Sequence, residues 1–196
     1  ILFFFLYSFM GWVWESCYVS VKERRLVNRG FMHGPFLPLY GSGAVMVLLC
    51  TMGVRDHIIL VFALGMTGAT ALEFITGVVM ESIFHVKYWD YSKQKLNLKG
   101  YICPAASLCW GCFSVLMVFV VHPPVESAVL MLPDHMAAGT AGVLSAGAAA
   151  DFIFSFREAL DMKQLLAQAE KTREQLRRVQ DKLHQATDGI AVLNKV

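Results

Sequence analysis

The chain reads as an all-α protein. It is expected to form a polytopic membrane bundle of about five transmembrane helices, built from two parallel helix-pair repeats, plus a C-terminal cytoplasmic coiled-coil-like helix. Three observations predict this. Hydrophobic residues make up 56 % of the 196 and charged residues 16 %, against about 45–50 % and 25 % in soluble domains. Apolar runs of spanning length recur up to residue 156. Beyond that point the chain turns polar and takes on a seven-residue hydrophobic period.

The first run, 1–21, opens "ILFFFLYSFMGWVWESCYV". It has no basic start and no A-x-A cleavage pattern, so it reads as a spanning helix rather than a signal peptide, and the chain is expected to begin just after the natural N-terminus. Further apolar runs fall at 35–53, 57–84, 102–121 and 136–156. The second and fourth open with Gly/Pro-rich segments, so their first turns are expected to be irregular. Such backbone is tolerated at membrane depth only where protein or a water-filled cavity covers it. Residues 122–135, "HPPVESAVLMLPDH", are too short and too proline-flanked for a span and read as a short interfacial helix. The expected division is a transmembrane bundle over 1–156 and a tail over 157–196. Within the bundle, repeat one is 1–53, repeat two is 57–121, and the fifth span is 136–156.

Lysine and arginine sort by side. Lys22, Arg24, Arg25 and Arg29 follow the first span, and Lys87, Lys93, Lys95 and Lys99 follow the third, whereas Arg55 stands alone on the other side. The positive-inside rule then makes both basic loops and the tail cytoplasmic and the N-terminus external, in a multi-pass plasma-membrane protein. In the tail, Met162, Ala169, Leu176, Leu183 and Ile190 form one heptad line, and Leu165, Thr172, Val179, Ala186 and Leu193 another. That pattern suits a homo-oligomer or partner-subunit contact through 158–196, or an amphipathic helix on the bundle or on lipid. Thr172 and the alanines weaken the seam, and Gly189 frays the last turns.

Several classes are excluded. A net charge of +2 with no basic patch between aromatics does not suit nucleic acid. Cys109 and Cys112 form a CxxC, but with Cys17, Cys50 and Cys103 they sit in or beside apolar segments, without a second ligand pair. No metal and no cofactor is expected. No P-loop, G-x-S-x-G or H-x-x-x-H is present, so Ser16, Ser107 and His85 are not assigned chemistry.

The repeat organises the polar residues. "GWVWESCYV" and "GVVMESIFHV" share Gly-x-x-x-Glu-Ser-x-aromatic, through Gly11, Glu15 and Tyr18 and through Gly77, Glu81 and Phe84. Each precedes a basic loop and then "NRGFMHGPFLPLYG" or "NLKGYICPAASLCWG". Asn28 matches Asn97, Gly30 matches Gly100, Phe31 matches Tyr101, and Tyr40 and Gly41 match Trp110 and Gly111. Gly147, Asp151 and Phe154 begin an incomplete third copy. Spacing of four places Gly11 beside Glu15, and Glu73, Gly77 and Glu81 on one stripe. A charged residue at the centre of a spanning helix costs about 2.5–3.5 kcal/mol, so carboxylates there point to ion, proton or ligand chemistry.

The candidate ligand-binding set is therefore Glu15, Asn28, Arg29, His33, Tyr40, Glu73, Glu81, Asp90, Asn97 and Trp110. The competing account has Glu–Arg pairs locking loops to helix ends, Tyr and Trp anchoring at the interface, and Asp151 pairing with Arg157. Catalytic residues are not identified.

The stretches "GWVWESCYVSVKERRLVNRGFMHGPFLPLYGSGA" (11–44) and "ALEFITGVVMESIFHVKYWDYSKQKLNLKGYICPAASLCWG" (71–111) resemble the bacterial putative ABC-transporter type IV, or CmpB-like, family. The resemblance covers about 1–156 and implies a multi-spanning integral membrane protein, with no substrate or site attached. Where that family's pattern often carries an arginine in "GRICL", this chain reads Lys99-Gly100-Tyr101, so a second arginine clamp lacks support.

The expected function is a permease-like transport protein with a cytoplasm-facing pocket of Glu and Arg residues, in contact with membrane lipid and an unknown small ligand. One alternative is an intramembrane enzyme acting on a lipid or lipid-linked group through Glu81, His33 and Arg29. Another is a non-catalytic scaffold that assembles partners through the tail.

Overall fold

A computed structural model describes the backbone of residues 1–193 and the side chains of residues 1–180. The helices are α1 (Leu2–Glu23), α2 (Pro38–Thr51), α3 (Ile58–Phe84), α4 (Pro104–Leu116), α5 (His122–Leu130) and α6 (Asp134–Leu193). A 3-10 turn, Met52–Val54, extends α2, and a π turn, Met117–Val121, joins α4 to α5. The chain forms two compact units, Ile1–Ser155 and a second beginning at Phe156. The protein is an all-α helical bundle.

Among the described residues, Leu2–Glu23, Ile58–Phe84, Pro104–Leu130 and Asp134–Gln180 are each long and apolar enough to cross a membrane, and Pro38–Val54 is a shorter apolar helix. Large apolar side chains such as Leu6, Phe9, Val13, Ile59 and Ile75 are exposed on these helices. That surface suits a hydrocarbon solvent, in which an apolar exterior carries no penalty.

Two expectations change. The Gly/Pro-rich openings do not disturb α2 and α4, which start as regular helices at Pro38 and Pro104. Proline fits a first helical position because the N–H it lacks has no partner there. The irregular backbone lies upstream, in 24–37 and 85–103. Residues 122–130 are not a separate interfacial helix, because α4 runs through the π turn into α5 as one 27-residue stretch. Pro123 and Pro124 cannot donate to carbonyls one turn earlier, and the wider turn absorbs this: the His122 N–H donates to the Met117 carbonyl.

Both basic loops fold back along the bundle. The Leu37 N–H donates to the Ser8 carbonyl (3.0 Å), although α1 continues to Glu23, which is about 22 Å further along the axis. α1 and α3 end with Arg24 and His85 in the left-handed region, at φ 53° and 58°, which reverses the chain without glycine. Phe31 ties the first loop to Phe84, Tyr88 and Phe152, with ring centroids 5.5, 5.9 and 5.6 Å away.

Neighbouring helices pack in sequence order, α1 on α2, α2 on α3, and α3 on α4. The core holds Tyr7, Ala44, Val47, Leu48, Val61, Ala69 and Val118. Close approach of α1 and α2 depends on Gly41, whose Cα faces the Phe4 carbonyl and the Ser8 hydroxyl.

Candidate functional site

Gly11 leaves room for the Tyr40 ring to lie across α1. The Tyr40 hydroxyl thereby reaches Glu15, one turn on, and donates to Oε2 at 3.0 Å. From the first loop, Arg29 brings Nε to 3.6 Å from Glu15 Oε1, with side chains 47 % and 27 % exposed. A pair that wet contributes about 0–1 kcal/mol. The Arg29 N–H is fixed by the Ser16 hydroxyl at 3.2 Å.

Glu73 is different. It is only 4 % exposed, midway along α3. Its Oε2 accepts from Trp110 Nε1 at 3.0 Å and its Oε1 from the Tyr91 hydroxyl at 3.1 Å. Both donors are neutral, so these bonds satisfy the oxygens without neutralising a charge. Tyr91 comes from the second loop, whose helix ends eleven residues past Glu73, so that loop too dips into the bundle. Burial and the nearby Glu73 carboxylate hold the Tyr91 phenol above its ordinary pKa. The Tyr40 and Trp110 rings meet edge to face, 5.9 Å apart. One network therefore runs Arg29–Glu15–Tyr40–Trp110–Glu73–Tyr91 and brings four of the sequence-derived candidates, Glu15, Tyr40, Glu73 and Trp110, into one place with Arg29 at its edge.

The other candidates lie elsewhere. Asn28 shapes the first loop, accepting from Trp12 Nε1 (2.6 Å) and donating to the His33 carbonyl (2.7 Å). Asn97 does the same in the second, donating to the Gln94 carbonyl (2.8 Å) and accepting from the Gly100 N–H (3.0 Å). Asp90 accepts from the Ser92 N–H at 2.9 Å, and its bonds to Ser92 hold its carboxyl below the ordinary range. Glu81 faces Tyr101, whose phenol it raises above the ordinary pKa. The His33 ring approaches Ser155 Oγ (2.8 Å) and Asp151 Oδ1 (3.3 Å).

Asp151 accepts from the His33 and Gly34 N–H groups, at 3.2 and 2.8 Å. Asp151→Ala is expected to leave both donors without that partner, at a local cost of up to about 1–3 kcal/mol for the part-buried Gly34 N–H and less for the exposed His33 N–H. Hydrogen exchange in a peptide covering 28–37 would then accelerate, and Asp90→Ala would leave that peptide unchanged. Equal protection in wild type and Asp151→Ala would contradict this anchoring.

Sequence reasoning missed a second polar group, on the far side of Tyr7. The Tyr7 hydroxyl lies 2.8 Å from His122 Nδ1, His122 Nε2 3.7 Å from Glu126, and Glu126 4.0 Å from Arg55. A signal did exist. Tyr7 precedes Gly11 by four, as Glu73 precedes Gly77.

Between α1, α2 and α4 lies a cavity of about 250 Å³, lined among others by Tyr7, Trp14, Tyr40, Trp110, Phe113 and Ser114. Glu15, Glu73 and Arg29 do not line it. Its wall combines rings with aliphatic, thioether and small residues, and the carboxylates stand one hydrogen bond beyond Tyr40 and Trp110.

A family model described as "Putative ABC-transporter type IV" matches residues 2–156. Comparisons with curated proteins and with solved structures each found no match. The matched region contains every residue of the network and cavity. With its apolar, membrane-length helices, the chain belongs to the Putative ABC-transporter type IV family and is a multi-pass membrane protein of transport type.

Proposed function

We propose that the chain is the membrane-embedded, permease-like part of a transport system, and that the cavity between α1, α2 and α4 holds its ligand. The observation that carries this is Glu73, a carboxyl 4 % exposed in a spanning helix that accepts from two neutral donors, one on the cavity wall and one in the second loop. A buried acid without a cation in those contacts is costly for a structural element, and it stands directly behind the ring that lines the cavity. With no P-loop in the chain, energy would come from a partner subunit or an ion gradient. The basic loops would face the cytoplasm.

The lipid-directed enzyme has less support. The residues it needs engage separate partners: Arg29 with Glu15, His33 with Asp151 and Ser155, Glu81 with Tyr101. For the tail, the heptad positions Met162, Leu165, Leu176 and Val179 are exposed, open either to another helix or to a lipid surface. Leu183, Ala186, Ile190 and Leu193 lie outside the described side chains.

The test is ligand retention. Mass spectrometry of the full chain, purified gently from its native membrane, is expected to find a small molecule that is lost from Glu73→Gln and from the cavity-filling Ala44→Phe. Identical small-molecule content in all three proteins, each correctly inserted, would overturn the proposal.

A further inference from the structure

We infer that the cavity takes a small organic cation with apolar substituents, of the tertiary or quaternary ammonium class. The inference rests on the reading of the cavity as a ligand site and deepens it. Tyr7, Trp14, Tyr40, Trp110 and Phe113 contribute rings to the lining. The polar atoms of three of them are turned to partners elsewhere: Tyr40 to Glu15, Trp110 to Glu73, and Tyr7 to His122. Donation to a carboxylate makes a ring more electron-rich and a better partner for a cation. The lining thus offers carbon rings in front of two carboxylates.

Charge selects the sign. Glu15 has Arg29 at 3.6 Å, whereas Glu73 accepts from two neutral donors, Trp110 and Tyr91. With Glu73 ionised, as a bound cation would favour, the local balance is negative, in surroundings where charges are weakly screened. An anion is repelled, and a neutral apolar molecule gains nothing from Glu73.

Hydrogen bonding selects the kind of cation. The Ser114 hydroxyl in the lining donates to the Trp110 carbonyl at 2.8 Å and can offer a ligand only its oxygen, as a single acceptor atom. A primary ammonium needs three acceptors, and the wall does not present them. An alkylated ammonium needs few or none. At about 250 Å³ the cavity is smaller than most drug-sized pockets, so the ligand is small.

The experiment uses the full chain in nanodiscs of uncharged lipid, with tritiated benzyltrimethylammonium as probe. Neopentylbenzene serves as its neutral isostere and phenylmethanesulfonate as an anion. Saturable binding of the cation is expected, displaced by unlabelled cation but by neither of the other two. Glu73→Gln is expected to weaken it at least about tenfold, and Ala44→Phe to abolish it. Should Glu73→Gln fail to insert, Glu15→Gln replaces it. That variant leaves Arg29 uncompensated beside Tyr40, and the same loss is expected. Displacement by the neutral isostere as strong as by the cation, or cation affinity unchanged in the tested Glu variant, would overturn the cation assignment and leave the cavity reading standing. If Ala44→Phe alters the binding of none of the three probes, the cation assignment falls, and retention of a native molecule by mass spectrometry decides the cavity reading separately.

Discussion

Replacing Glu73 with leucine is expected to destabilise the bundle by about 2–6 kcal/mol, whereas glutamine leaves it within about 1 kcal/mol of wild type. Leucine strands two donors, Trp110 Nε1 and the Tyr91 hydroxyl, now 3.0 and 3.1 Å from the carboxyl oxygens. Each buried orphan costs about 1–3 kcal/mol. Glutamine keeps one oxygen for Trp110, which can only donate. Its amide can donate to Tyr91, whose hydroxyl rotates from donor to acceptor. Glutamine therefore removes the charge and preserves the network, which makes it the informative variant for function. Denaturation midpoints in mild detergent check the pair. If leucine were as stable as wild type, these two bonds would not hold α4 and the second loop against α3.

The second large effect concerns α1 against α2. A methyl group at Gly41 would overlap the Phe4 carbonyl oxygen and the Ser8 hydroxyl. The carbonyl belongs to helical backbone and has no rotamer to retreat into. Gly41→Ala is expected to push the helices apart and cost about 1–3 kcal/mol, and Gly41→Leu more. Gly139 is the control, since nothing lies within 4 Å of a methyl there. Gly139→Ala should hold or slightly raise stability, as alanine favours helix by up to about 1 kcal/mol. Equal melting of Gly41→Ala and wild type would mean that α1 and α2 do not pack this closely.

The spanning helices were legible because length and hydropathy alone decide them. The continuity of α4 and α5 was not. Pro123 and Pro124 read as a break, and only the π turn before them, a tertiary adjustment, lets the helix continue. Glu15, Tyr40, Glu73 and Trp110 stand out in sequence as polar or aromatic groups in apolar runs. Their partners do not follow from the repeat. Tyr40 meets the glutamate one turn past Gly11, but its counterpart Trp110 meets Glu73, one turn before Gly77. The stretch from Glu81 to Trp110 is four residues longer than that from Glu15 to Tyr40, and α3 has 27 residues to the 22 of α1, so the two segments do not have to meet the same level of the preceding helix. Tyr91 was hidden for a related reason. A tyrosine in a basic loop suits an interfacial anchor, and only the fold-back of 85–103 takes its hydroxyl to Glu73. Asp151 reads locally as one arm of an i, i+6 pair with Arg157, whereas it accepts two backbone bonds from a loop 117 and 118 residues away.

The most direct test is an experimental structure of the full chain in its native lipid, with density examined between α1, α2 and α4. A ligand-shaped density is expected against Tyr40 and Trp110, with Glu73 still bonded to Trp110 and Tyr91. A cavity closed by repacked side chains, or filled only by lipid tails entering from the surrounding bilayer, would contradict the ligand site.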